Sequence, residues 1–392
     1  MDGRRLVCAW WAAAGLCLAT DTRSLLEQAR AERAQFRRME AIRHLSEAFS
    51  LAPDDPAILR EYAAATPETG LEPKLLRRLI GLETTPRDWR DEAIARLAVC
   101  SRLGDRVVNR LASEYVPYRL PMKILRSGES RSTGWILPLR MNGGRPLRLL
   151  LDTGSRGMLI SRGNAESLRL EPLGTAALGG FGDERSHRGQ VALAKHVSVG
   201  AFQANDVLVE SVDRTFSDDL DGLVGTDLFR HFRITLNGPE KMLELQPFED
   251  ADPAEGGGER PWSRHAVASQ PDGSLRLAGH LLLAPVRFGG ERTNFVIDSG
   301  AAFSMIQERE AFIPLRMVTL TGLSGTVDAP QLPRPLRVEI AGSPAVLRDV
   351  VASDLSGIGA HFGIPIEGFI GFPLLNRAVT SLDLRSGSLT IK

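Results

Sequence analysis

Two short stretches of this chain are near-copies of one another. Leu149-Leu150-Leu151-Asp152-Thr153-Gly154-Ser155 is echoed by Phe295-Val296-Ile297-Asp298-Ser299-Gly300-Ala301. Each is an apolar run that ends in Asp, then a small hydroxyl residue, then Gly. Each is followed by an apolar-apolar-Gly signal, Leu223-Val224-Gly225 and Phe369-Ile370-Gly371, and in both halves that glycine comes 73 residues after the Asp. One Asp-Thr-Gly constrains little, because an Asp at a strand end is usually a turn former or a helix cap. A matched pair at equal spacing calls for a duplicated β unit, and it allows two carboxylates to meet.

Two carboxylates within hydrogen-bonding distance cannot both ionise cheaply, so such a pair retains one proton over a broad pH range. The ionised member can act as general base on a water lodged between them, while the protonated member donates to the oxygen of the bond under attack. Asp152 and Asp298 are the candidate catalytic residues. Gly154 and Gly300 read as the residues that let the backbone turn tightly. Thr153 and Ser299 offer hydroxyls that could lock the two loops by crossed hydrogen bonds, and Ser155 and Ala301 complete the loops. Asp183, Asp227, Asp383 and Glu367 lie near these motifs without a partner in the other repeat, and read as solvated or turn residues. His187 and His231 likewise have no repeated partner. No nucleophile elbow, zinc-binding helix or phosphate loop is visible in the sequence.

On these residues the chain resembles the retropepsin and pepsin superfamily of aspartic proteases, in a bacterial two-lobed form, over about Pro121 to Lys392. The resemblance implies a mainly β, bilobal acid-protease fold built from two duplicated retropepsin-like lobes, preceded by an α-helical region. It implies an aspartic endopeptidase acting on polypeptide without a cofactor or metal. The later Gly elements then back the Asp loops. Each is followed by a closing strand pair, Ile234–Leu236 with Met242–Leu245 and Ser381–Leu384 with Leu389–Ile391. Between Asp loop and backing element the family places a glycine-bearing flap. Gly180, Phe181 and Gly182 occupy that interval in the first half, and Gly322, Leu323 and Ser324 in the second. Neither stretch carries the Tyr usual in pepsin-type flaps.

Organisation along the 392 residues follows from texture. Arg4 and Arg5, the apolar run Leu6–Leu18 and the small Ala19 read as a signal peptide, 1–19. An uncleaved anchor or a buried helix is the alternative. Residues 20–118 read as helical, either a degenerate tetratricopeptide-like array or a plain helical bundle. Strand texture then marks a first lobe, 119–248. The acidic, glycine-rich stretch 249–263 is a linker, and 264–392 forms the second lobe. Strands are expected at Gly134–Leu139, Leu147–Leu151, Val191–Val199, Leu275–Leu283, Asn294–Ile297, Leu336–Ile340 and Val346–Val351, among others.

Composition bounds the partners. The 48 basic and 48 acidic residues cancel, so there is no electrostatic footprint for nucleic acid. Of the three cysteines only Cys100 lies outside the expected signal, which excludes an internal disulfide or a cysteine cluster for zinc in the mature chain. Export to the periplasm or medium is expected. Because one chain holds both Asp loops, the expected state is a monomer with an intramolecular pseudo-dimer, and the helical region is open to a protein partner. The rival readings are a non-catalytic peptide-binding module and a scaffold with a vestigial protease fold.

Overall fold

The computed structural model describes residues 21–67, 69–127, 131–178, 187–214, 216–249, 274–308, 313–322 and 325–392. The expected signal segment 1–19, and the expected linker beyond Glu249, lie outside them. Strand outweighs helix, 41% against 26%, and most of the helix precedes Asp105. The described chain falls into two compact units, one ending at Asp105 and the other beginning at Arg106.

The first unit is helical: 21–34, Arg38–Leu51, Pro56–Ala65, Glu72–Gly81 and Arg87–Leu103. Pro53 explains the first sharp stop. It disfavours helical backbone at the residue before it, and Ala52 has left the helical region at φ −138°. Asp55 restarts the chain by accepting from Ala57 N and Ile58 N at 2.8 and 3.2 Å, with Pro56 in the first turn where its missing N–H costs nothing. Leu45, Ile58, Leu59, Leu75 and Leu79 form the buried core. Glu72, buried within it, is held by Arg96 at 2.6 and 3.3 Å. Burial, followed by the charge of Glu72, pushes the Cys100 thiol up to about 11, so it is an inert core group.

The second unit starts earlier than the expected residue 119, and residues 106–118 are not helical. Arg110–Leu111 pairs antiparallel with Asn205 and Ala204 at the edge of the first-lobe sheet. Arg106 makes a two-pronged ion pair with Glu171 of the same lobe. Backbone pairing and charge pairing thus place this segment with the β structure.

Each lobe repeats one construction. Leu149–Leu151 pairs parallel with Gly222–Val224, and Phe295–Ile297 pairs parallel with Gly368–Ile370. Those backing strands also pair antiparallel with the strand that follows each Asp loop, Met158–Ser161 and Ser304–Gln307. The two lobes share a third sheet, in the order Tyr118–Pro121, Met242–Pro247, Phe232–Asn237, Val379–Asp383, Ser388–Ile391. At its centre Thr235 pairs with Ser381, and their hydroxyls meet at 2.9 Å. These two are 146 residues apart, the spacing that also separates Thr153 from Ser299. The central sheet therefore joins each lobe to its own counterpart about an approximate two-fold axis. Trp135, fully buried, carries the packing across the lobes. Its ring meets Phe372 edge-on at 5.1 Å, and its Nε1 donates to Asn376 Oδ1 at 3.2 Å.

Two expected strands are broken. Leu275–Leu283 is a hairpin, Arg276–Ala278 against Leu281–Phe288, turning at Gly279 with φ 60°. Val346–Val351 splits into Ser343–Leu347 and Val350–Ser353, with Asp349 at φ 51° between them. In each case one left-handed residue reverses or kinks a run that has apolar residues on both sides of it.

The backing glycines are required by space, because the Asp loop passes directly against them. A Cβ on Gly225 would stand 2.5 Å from the Ser155 carbonyl oxygen, and one on Gly371 would stand 2.2 Å from that of Phe303. Gly371→Ala is expected to lower stability by about 3 kcal/mol. Gly163→Ala, in a helix with nothing within 4 Å of the new methyl, should gain up to about 1 kcal/mol. Urea unfolding of the two variants against the parent checks the contrast.

Candidate active site

Each Asp loop leaves its strand where the backing strand ends. Asp152 N donates to the Val224 carbonyl at 2.9 Å and Asp298 N to that of Ile370 at 3.0 Å. Under the first loop, Asp221 clamps the strand pair by accepting from Arg148 N at 2.8 Å and from the Arg145 guanidinium. Burial alone would raise this carboxyl, but the Arg145 and Arg148 bonds outweigh it and hold Asp221 at about 2.

Four crossed hydrogen bonds lock the loops together. Thr153 Oγ1 donates to the Ile297 carbonyl at 2.7 Å, and Ser299 Oγ donates to that of Leu151 at 2.7 Å. Each hydroxyl also accepts the other's backbone N–H, at 3.0 Å from Thr153 and 2.9 Å from Ser299. Both residues are buried, so the exchange satisfies polar groups that have no access to water.

The lock brings each carboxyl against the glycine of the opposite loop. Gly154 and Gly300 lie in the tight turns of the two loops, closed by Ser155 N to the Asp152 carbonyl at 3.2 Å and Ala301 N to the Asp298 carbonyl at 3.3 Å, and they also leave the room this needs. Neither has a positive φ. A Cβ on Gly154 would stand 3.0 Å from Asp298 Cγ, and one on Gly300 would stand 2.6 Å from Asp152 Cγ. Each glycine is also the berth for the opposite aspartate, a role in addition to its place in the turn.

The two carboxyls are not equivalent. Asp152 accepts from Gly154 N at 2.8 Å and from the Ser155 hydroxyl at 2.6 Å. Asp298 accepts only backbone groups, Gly300 N at 2.9 Å and Ala301 N at 3.0 Å, because Ala301 stands where the first loop has Ser155. Burial, followed by the charge of Asp152, pushes Asp298 well above the usual carboxylate range. Both side chains are only half-buried, so water reaches them at the bottom of a densely walled site. A pair with the proton held on one member is equipped for paired acid and base catalysis.

Among the expected flap residues, Gly180, Phe181, Gly182, Leu323 and Ser324 lie outside the described residues. The strands leading to them form hairpins, Glu171–Leu178 with His187–Val199 and Arg316–Thr321 with Thr326–Gln331. Gly322 N donates to the Gly325 carbonyl at 2.8 Å, and the Gly322 carbonyl accepts from Arg214 of the first lobe at 3.0 Å. Asp227, read from sequence as a solvated or turn residue, accepts the Gly157 N–H with both oxygens, at 2.9 and 3.0 Å, and so braces the end of the first Asp loop. Pro373 stands at its equivalent in the second lobe, so the repeat could not flag it. His231 is held down to about 4 by burial and then by Arg230, away from the dyad. Among the described residues no group of three metal-ligating side chains occurs.

Each half of the β unit contributes one Asp loop, and crossed hydroxyl bonds join the two loops. Residues 137–228, from the strand before Asp152 to the turn after Gly225, match the Aspartyl protease family, and this lobe is an aspartyl protease domain of the retropepsin-like family. No curated protein matches the chain. The family assignment points to hydrolysis of peptide bonds as the broad activity.

Ser299→Ala would leave the Leu151 carbonyl and Thr153 N–H without their buried partner. A loss of about 1–3 kcal/mol is expected in urea unfolding. Ser299→Thr, which keeps the hydroxyl and copies residue 153, should recover most of it.

Proposed function

We propose that this protein is an aspartic endopeptidase in which Asp152 and Asp298 activate one water between them. Asp152, the charged partner, takes a proton from that water as its oxygen attacks the peptide carbonyl carbon. Asp298 gives its proton to the carbonyl oxygen, forming a neutral gem-diol. Collapse breaks the C–N bond, with the proton taken by Asp152 passing to the leaving nitrogen and the diol proton returning to Asp298. The observation that carries this reading is the set of crossed Thr153 and Ser299 bonds, which places each aspartate's carboxyl against the glycine of the opposite loop. The substrate is an extended polypeptide, gripped from above by the two glycine-bearing hairpins.

The remaining assignments belong to the same proposal. One chain supplies both loops, so the monomer is the active form. The enzyme is exported, and the helical unit serves as a platform for a protein partner.

The test is turnover of an unstructured polypeptide by the full chain, from acidic to neutral pH. Asp152→Asn and Asp298→Asn should each lower kcat by about a thousandfold or more, and specific activity should not fall on dilution. Equal behaviour of parent and variants would leave a peptide-binding module instead.

The inequality of the loops adds a pH prediction. Asp298 must be protonated to donate, so the alkaline limb of the profile follows its raised pKa. Ala301→Ser adds a hydroxyl donor that favours the ionised form, and the alkaline limb should move to lower pH. An unmoved limb would separate Asp298 from the acid role.

A further inference from the structure

A strand of the first lobe reaches the end of the second Asp loop. Where Arg131–Met141 pairs with Lys123–Ser127, the register shifts: Gly134 faces Leu125 and Ser132 faces Arg126, so Thr133 is an extra residue. Such a bulge bends the strand and re-aims the side chains beside it. Side chains on either side of the bulge cross to the second lobe. Trp135 meets Phe372, and Arg131 donates from Nη2 to the Ala302 carbonyl at 3.0 Å. The Arg131 guanidinium also lies over the Phe303 ring, 3.5 Å from its centre.

Both contacts fall just past the groups that hold Asp298. Its carboxyl accepts from Gly300 N and Ala301 N. The Ala301 carbonyl accepts from Phe372 N at 2.9 Å, and the next carbonyl along the chain is the one Arg131 takes. The crossed hydroxyl bonds end at Ser299 and do not reach this part of the loop. In the first loop the corresponding end is braced by Asp227, whose carboxylate accepts the Gly157 N–H within its own lobe. The second loop has a brace of opposite polarity, from the opposite lobe: a cation that donates to a carbonyl.

The Arg131 guanidinium is partly withdrawn from water. Burial holds it below its ordinary value, and Asp349 acts the other way. Withdrawing a cation from water costs free energy. The charge-assisted bond to Ala302 and the face of Phe303 offset that cost. A guanidinium can make both contacts at once, because its edge donates while its plane stacks.

We propose that Arg131 is a positioning residue for the Asp298 loop, fixing the Ala302 carbonyl from the opposite lobe so that the Ala301 N–H keeps its bond to the Asp298 carboxyl. The bond from Phe372 N holds this end of the loop at one point, about which it could pivot. Arg131 supplies the second point. Because that point belongs to the first lobe, the angle of the Asp298 carboxyl is tied to the lobe that carries Asp152.

The inference rests on the endopeptidase reading for its effect on rate, and not for its effect on the loop. In steady-state assays of the full chain, Arg131→Met, which keeps an apolar stem for Phe303 but has no donor, should lower kcat about tenfold with KM unchanged. Arg131→Lys restores a donor and should recover most of the loss. An unchanged kcat in the Met variant, a rise in KM in its place, or a Lys variant no better than Met overturns the proposal. Amide hydrogen exchange supplies the arm that needs no substrate. The Ala301 N–H should exchange about tenfold faster in Arg131→Met than in the parent, and near the parent rate in Arg131→Lys. The Ser299 N–H, held by Thr153 Oγ1, should keep its rate. An unchanged Ala301 rate overturns the proposal, and so does equal acceleration at Ser299, which marks a loss of stability throughout. If Ala301 alone loosens but the parent cuts no polypeptide, the endopeptidase reading fails and the brace stands.

Discussion

Two hydroxyl groups hold this structure at its centre. Thr153 and Ser299 each donate to a carbonyl beneath the other's Asp loop and accept the other's N–H. These groups are buried, so each unmade bond would cost the desolvation of its donor or acceptor. The bonds exist only when both lobes are present and in register. The rest of the architecture follows from that requirement. The central sheet repeats the same 146-residue correspondence at Thr235 and Ser381, and the glycine after each hydroxyl residue is kept bare because the opposite carboxyl fills the space.

A perfect two-fold would nevertheless suit the chemistry poorly, because a shared proton must reside on one side. The chain breaks its own symmetry at a few places around the dyad. Ser155 gives Asp152 a hydroxyl donor, and Ala301 withholds one from Asp298. Asp227 braces the end of the first loop through Gly157 N where Pro373 stands in the second half. Each difference acts on the electrostatics or the rigidity of one loop while leaving the crossed hydroxyl bonds intact. Duplication therefore supplies the frame, and the departures from it assign the roles in the proposed chemistry.

How much of this was legible in the sequence varies with the kind of signal. The strand Leu147–Leu151 and the parallel backing by Leu223–Val224 could be read because buried strands leave continuous apolar runs and the repeat supplies an internal check. The helix stop at Pro53 was equally plain, because proline acts locally. Residues 106–118 were misassigned because membership in a sheet edge depends on a partner strand about ninety residues away, and no local pattern records it. The hairpin at Gly279 was missed because apolar residues stand on both sides of it, and one glycine between them is an ambiguous mark.

The sequence by itself determined that there are two equivalent Asp loops, their order, their backing elements and the hydroxyls available to join them. Those are properties of chemical type and spacing, which the chain carries whether folded or not. Only the tertiary structure decided why Gly154 and Gly300 must be glycine and which distant side chains touch the loops. The physical reason is that space, burial and charge at the site are set by atoms from the other lobe. A carboxyl that enters a glycine's berth leaves no trace in the residues next to it.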